Sequence, residues 1–130
     1  LYPLIYQTGN SDVLLVQLNP IEYNEVPTNA QEIMDRINEI TFNASLLAEL
    51  RAMGFVRRLL DEGKLDRERY KYMLMHHVDG GAVLKSYGAS SKNRSDAPFV
   101  RELCERGRVS GENWLTRHRA DVGVRSGFKV

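Results

Sequence analysis

An α/β fold of two strands, one long helix and a second helix near the C-terminus follows from three features of the sequence. A continuous apolar run, Val13-Leu14-Leu15-Val16-Gln17-Leu18, is closed by Asn19-Pro20. A helical pattern then runs from Thr28 to about Glu62 without proline. After a charged stretch come a second apolar run over residues 70–78 and a final helical pattern over 95–118.

The first run does not alternate with polar residues. A run of that kind, bounded by turn residues, predicts a strand covered on both faces, as in a mostly parallel sheet. The short apolar stretch before it, Leu1 to Gln7, fits either one turn of helix or a buried extended segment.

Thr28 is the expected N-cap of the long helix, with Gln31 as its capping-box partner. Ala30, Ile33, Ile37, Ile40, Ala44, Leu47 and Arg51 fall at steps of three and four and predict its buried stripe. Its second half, from Leu46 to Leu60, is apolar on more than one side and should lie against more protein. Gly63 is the expected stop, for a helix about 50 Å long at 1.5 Å per residue.

Tyr72, Met73, Leu74, Met75 and Val78 mark the second strand, which Asp79-Gly80-Gly81 ends. A short helical turn is expected near residues 82–86. Ser95 or Asp96 should cap the last helix. Its stripe reads Val100, Leu103, Cys104, Gly107, Gly111, Trp114 and Leu115, which predicts a buried Trp114 and a possible break near Gly107. Residues 1–118 are read as one subdomain and residues 119–130 as a polar tail.

Composition excludes several classes of function. The 130 residues carry 18 Lys and Arg against 17 Asp and Glu, a net charge of +1. A nucleic-acid binder is not expected from that balance. The single cysteine, Cys104, allows no disulfide within the chain, which favours a reducing, cytoplasmic compartment. It is read as a small buried apolar residue rather than a reactive thiol. No apolar run approaches the roughly 18 residues of a membrane span. The N-terminus has no basic leader and no methionine, so the chain is expected to begin inside a longer protein.

Leu1-Tyr2-Pro3-Leu4, followed by the strand Val13 to Leu18 and Asn19-Pro20, resembles the C-terminal half of patatin-like phospholipases. The run from Ile33 to Leu46 is similar to one bacterial branch of that family. So are Gly88-Ala89-Ser90-Ser91-Lys92 and Trp114-Leu115, and the likeness covers nearly the whole chain. The resemblance implies a C-terminal fragment of a three-layer α/β/α serine hydrolase that cleaves acyl esters of lipid-like substrates. It implies a Ser-Asp dyad with the serine in a Gly-x-Ser-x-Gly elbow, a Gly-rich oxyanion loop, and no metal or organic cofactor. In that family the catalytic Asp precedes a segment like Leu1-Tyr2-Pro3-Leu4. Both dyad residues would then lie upstream of Leu1, and this chain would hold no catalytic, cofactor or metal residue. Its partners would be the N-terminal catalytic portion of the same protein and, through the parent, a lipid or membrane surface.

Several residues imitate a site. Asp79-Gly80-Gly81 and Ser90 invite a dyad, but Lys92 stands where the elbow needs glycine, and Asp precedes Ser. Asp79-Gly80 reads instead as a turn. His76 and His77 point to opposite faces of a strand and, with His118, have no metal-ligand spacing. Arg57, Arg58, Arg106 and Arg108 read as solvated helix faces, and Tyr70, Lys71 and Tyr72 as part of a half-buried sheet. Two apolar strands do not make a stable sheet alone. Self-association as a homo-oligomer is therefore expected, with Leu15 as the probe of the contact. The reading from a different class is a stand-alone helical oligomerisation module.

Overall fold

A computed structural model describes residues 1–21, 26–81, 84, 86–87, 91 and 93–128. Among them the chain is mixed helix and strand: α1 (Tyr2–Tyr6), β1 (Asp12–Gln17), α2 (Ala30–Asp61), β2 (Leu74–Asp79), α3 (Ala97–His118) and a 3-10 turn (Arg119–Asp121). The two strands pair in parallel, from Asp12 opposite Leu74 to Gln17 opposite Asp79. A parallel pair needs a long crossover, and α2 provides it.

The core lies on one side of this sheet. Val13 of β1 and Met75 of β2 pack with Ile5 of α1, Leu50 and Met53 of α2, and Met73. Side chains alternate along a strand, so Asp12, Leu14 and Val16 share the other face with His76. There α3 brings Trp114 edge-on to the His76 ring, 6.0 Å between centroids. Helices thus approach both faces, but the second face is covered over β2 alone. Leu14, Val16 and Leu18 stand 48%, 64% and 73% exposed. Within this chain the expectation of a strand covered on both faces is not met.

Helix α2 is continuous, as its pattern predicts, and Gly63 follows it with φ 68°, the left-handed conformation that glycine adopts freely. Its cap sits one residue later than expected. Asn29, not Thr28, is the N-cap, and its Oδ1 accepts from the Glu32 amide at 2.9 Å. Glu32 reaches back to the amide and hydroxyl of Thr28, while Gln31 bonds Asp35 instead. Asn and Thr are both favoured N-cap residues, because the side-chain oxygen of either can accept from a free amide of the first turn.

The buried stripe also differs from the predicted one. Glu39, Asn43, Leu50, Met53 and Leu60 are buried, whereas Ile33, Ile37 and Ile40 are exposed. A two-stranded sheet is too narrow to cover a helix of this length, so the first half overhangs it. The second half does lie against more protein, as expected.

Strand β2 begins at Leu74 rather than Tyr70. Its partner starts only at Asp12, so Tyr70 to Met73 have no ladder residue opposite. Arg69 and Tyr70 instead close a turn onto the Asp66 carbonyl. In α3, Asp96 is the cap, accepting from the Phe99 amide at 3.1 Å, and the helix passes Gly107 and Gly111 unbroken. Phe99 is its buried residue, Trp114 is only partly buried, and Cys104 is exposed. Of the expected stripe, Leu103, Gly111 and Trp114 are half-buried, while Val100, Cys104, Gly107 and Leu115 are exposed. The expected helical turn near residues 82–86 falls partly outside the described residues.

The segment after α3 is not a free tail. The Gly123 amide donates to Asp12 Oδ1 at 2.8 Å, and the Phe128 amide donates to the Met75 carbonyl at 3.1 Å. Ser126 Oγ accepts from the Met75 amide and from Arg57 Nη1 of α2. Residues 122–128 therefore lie as a strap along the outer edge of β2. No helix of the described residues is long and apolar enough to cross a membrane.

Candidate functional site

The Asp79-Gly80-Gly81 motif is a turn. Gly81 has φ 58° and donates its amide to Asp79 Oδ1 at 3.1 Å. That bond is the self-capping geometry of an Asx turn, and it occupies the carboxylate with its own backbone. Ser90, the other half of the apparent dyad, lies outside the described residues.

The histidines do point to opposite faces, and the structure gives each a different role. His77 Nε2 lies 2.7 Å from Gln17 Oε1, and its ring tilts against Phe128 at 4.7 Å. Burial pushes its pKa below the ordinary imidazole value, with Asp79 pulling partly back. The folded chain then binds this proton less tightly than the unfolded chain does. Between the lowered folded pKa and the unfolded value near 6.5, the unfolded state holds more protons, so stability rises with pH. The contribution is complete above about pH 6.5 and is lost as pH falls through the folded pKa. The gap in denaturation midpoint between wild type and His77→Gln should be constant above about pH 6.5 and shift in favour of the variant as pH falls below it. A gap independent of pH between about 7 and 5 would contradict the buried placement of this ring.

His76 is 1% exposed. Its Nε2 lies 2.7 Å from Asp12 Oδ1, and since a carboxylate only accepts, Nε2–H is the donor. Its Nδ1 is buried without a hydrogen-bond partner among the described residues. Burial raises the Asp12 carboxyl, but the Gly123 amide and His76 outweigh it and hold the group below the ordinary aspartate value. A second pair stands beside it. His118 Nδ1 lies 3.1 Å from Asp121 Oδ2, and Arg125 Nε donates to Asp121 Oδ1 at 2.6 Å. These two contacts hold the Asp121 carboxyl below its ordinary value against the opposing effect of burial. Trp114 spans both imidazoles, 6.0 Å from each.

The two pairs meet under Gly127. A β-carbon there would stand 3.5 Å from His76 Nδ1, 3.7 Å from His118 Nδ1 and 3.9 Å from Asp121 Oδ2. No cluster of three or more His, Cys, Asp or Glu with metal-holding geometry occurs among the described residues. The sequence pattern marks His76, His77 and His118 together as lacking metal-ligand spacing and does not single out Asp12 or Asp121 as their partners. The His118–Asp121 spacing was a local signal, while Asp12 and His76 meet only through the parallel register.

The basic residues are mostly paired. Arg57 bridges Tyr72 and Ser126 rather than facing solvent, whereas Arg106 and Arg108 pair with Glu102 and Glu105 on an exposed helix face. The second feature of the molecule is a groove of about 1260 Å³ between the open face of β1, α2 and α3. Val16, Leu18, Phe42, Leu46, Phe99 and Leu103 give it an apolar lining, and Asp79-Gly80-Gly81 stands at its rim. Comparison of the chain with known protein families, with curated proteins and with solved structures finds no match.

Proposed function

We propose that this chain is the structural C-terminal portion of a patatin-like acyl-ester hydrolase and holds no Ser-Asp dyad of its own. The observation that carries the reading is the open face of β1. Leu14, Val16 and Leu18 are exposed on a parallel strand, and parallel sheets occur almost only with both faces covered. The missing cover is the N-terminal catalytic portion of the same protein, seated in the apolar groove. In that assembly β1 is an inner strand, α2 backs the sheet, and the groove borders the parent's acyl-binding region at a lipid surface. The likeness of Leu1-Tyr2-Pro3-Leu4 and of residues 33–46 to that family supports the same reading, and so does the turn-bound state of Asp79.

The chain alone is expected to give no turnover of p-nitrophenyl butyrate above buffer. Robust hydrolysis that Ser90→Ala abolishes would overturn the proposal. A second reading, a stand-alone oligomerisation module, is favoured by the exposed Ile33, Ile37 and Ile40 stripe of α2. The coding sequence upstream of Leu1 separates them. A Gly-x-Ser-x-Gly and an Asp-Gly-Gly there support the hydrolase, and a start codon with neither supports the module.

A further inference from the structure

We propose that the crevice at the carboxyl ends of β1 and β2 binds a small amphipathic monocarboxylate, with Arg51 of α2 holding the carboxylate and the apolar wall beside it holding the body. In open α/β sheets, ligands bind in the crevice outside the carboxyl ends of the strands. Here β1 leaves the sheet at Gln17, β2 leaves it at Asp79, and α2 stands beside both ends. A cavity of about 390 Å³ lies in this angle, at the lower end of the range for small-molecule sites. Leu18 and Pro20 after β1, Leu47 and Leu50 of α2, Leu84, and Phe128 of the strap line most of it. It adjoins the larger groove at the Asp79-Gly80-Gly81 turn. The inference rests on these residues and is independent of the hydrolase reading.

The polar groups of the wall select the ligand. Gln17 is already engaged at both ends: its Oε1 accepts from His77 Nε2 at 2.7 Å, and its Nε2 donates to the Asn19 carbonyl at 2.6 Å. Asp79 Oδ1 accepts from the Gly81 amide. Arg51 differs from both. It is the one arginine among the described residues that lines this cavity, it is exposed there, and its guanidinium has no hydrogen bond or ion pair among them. Arg57, Arg67, Arg94, Arg106 and Arg125 all have carboxylate partners. A guanidinium binds a carboxylate through two parallel N–H···O bonds, and the leucines and Phe128 next to it offer burial for a short chain or a single ring. Charge favours a monocarboxylate over phosphate. Asp79 lies on the same cavity and repels an anion, so a dianion bears that repulsion twice and has no apolar body to bury. His77, which burial keeps neutral at neutral pH, adds no second cation. One guanidinium is thus matched by one negative charge.

Titration of the full ¹⁵N-labelled chain with sodium octanoate at neutral pH, below its micelle concentration, tests the site through the amide chemical shifts. Saturable shifts of the Gly80, Gly81 and Phe128 amides, which border the cavity, are expected. Arg51→Gln, a change at an exposed position outside the core, should weaken binding by about tenfold or more, the loss of a hydrogen bond to a charged group. 1-Octanol, the same chain without the charge, should bind the wild type as weakly as octanoate binds Arg51→Gln. Inorganic phosphate should give no saturable shift at these amides, and phosphate binding as tight as that of octanoate would overturn the monocarboxylate. Octanoate shifts centred on Leu14 and Val16 that persist in Arg51→Gln would put the ligand on the open face of β1 and overturn the site. So would shifts at Gly80, Gly81 and Phe128 that never saturate.

Discussion

Leu50→Ala is expected to destabilise the chain by about 2–5 kcal/mol, the range for a leucine truncated in a close-packed interior. Leu50 is 3% exposed and is the residue by which α2 grips the sheet, against Val13, Met53 and Met75. The core is small, so few neighbours can relax into the space left behind, and the cost should fall in the upper part of the range. A domain of ordinary stability has only about 5–15 kcal/mol to lose. Ile37→Ala is the matching control. Ile37 belongs to the stripe that the sequence pattern marks as buried, yet it is exposed, and its truncation should move stability by no more than about 0.5 kcal/mol. Urea unfolding of both variants decides between the two stripes. Equal losses, or a larger loss for Ile37→Ala, would contradict the observed packing of α2.

That pair shows where sequence patterning reaches its limit. Periodicity locates a helix and its stop, and α2, Gly63 and α3 stand where the pattern predicts. The same periodicity picks the buried face by counting apolar residues, which holds only if the partner surface is as long as the helix. Here the partner is two strands wide, and Ile33, Ile37 and Ile40 are left about half exposed among the described residues. β1 was legible as a strand from its all-apolar run, but the described residues do not form the cover that such a run predicts on its second face. The Asp12–His76 pair was illegible because it depends on which residue of β1 stands opposite which residue of β2. The strap was missed because polar residues without a period read as unstructured, whereas Ser126 and Gly123 are held by individual hydrogen bonds to Met75, Arg57 and Asp12 that leave no periodic signal.

Self-association is the second large effect expected. Two parallel strands with one bare apolar face are marginal in water, and an unpaired edge beside such a face is a template for another chain. Leu14 and Val16 project from that face, while Leu15 shares the alternation of Val13 on the α2 side. The position that reports the contact is therefore Leu14 or Val16 rather than Leu15. A lysine at either places a charge in the contact without entering the core, so it should separate the copies and leave the fold intact. Apolar patches beyond a few hundred Å² are rarely left open on a monomer, which makes the unmodified chain the sticky species and the lysine variants the soluble ones.

Sedimentation velocity at micromolar concentration, on wild type, Leu14→Lys and Val16→Lys, measures most directly whether the sheet of this chain is incomplete. The incomplete sheet predicts a wild-type dimer or larger species, and variants that sediment as folded monomers of 14.9 kDa. A wild-type chain that sediments cleanly at 14.9 kDa and melts cooperatively would show that the open face needs no cover, and would contradict the account.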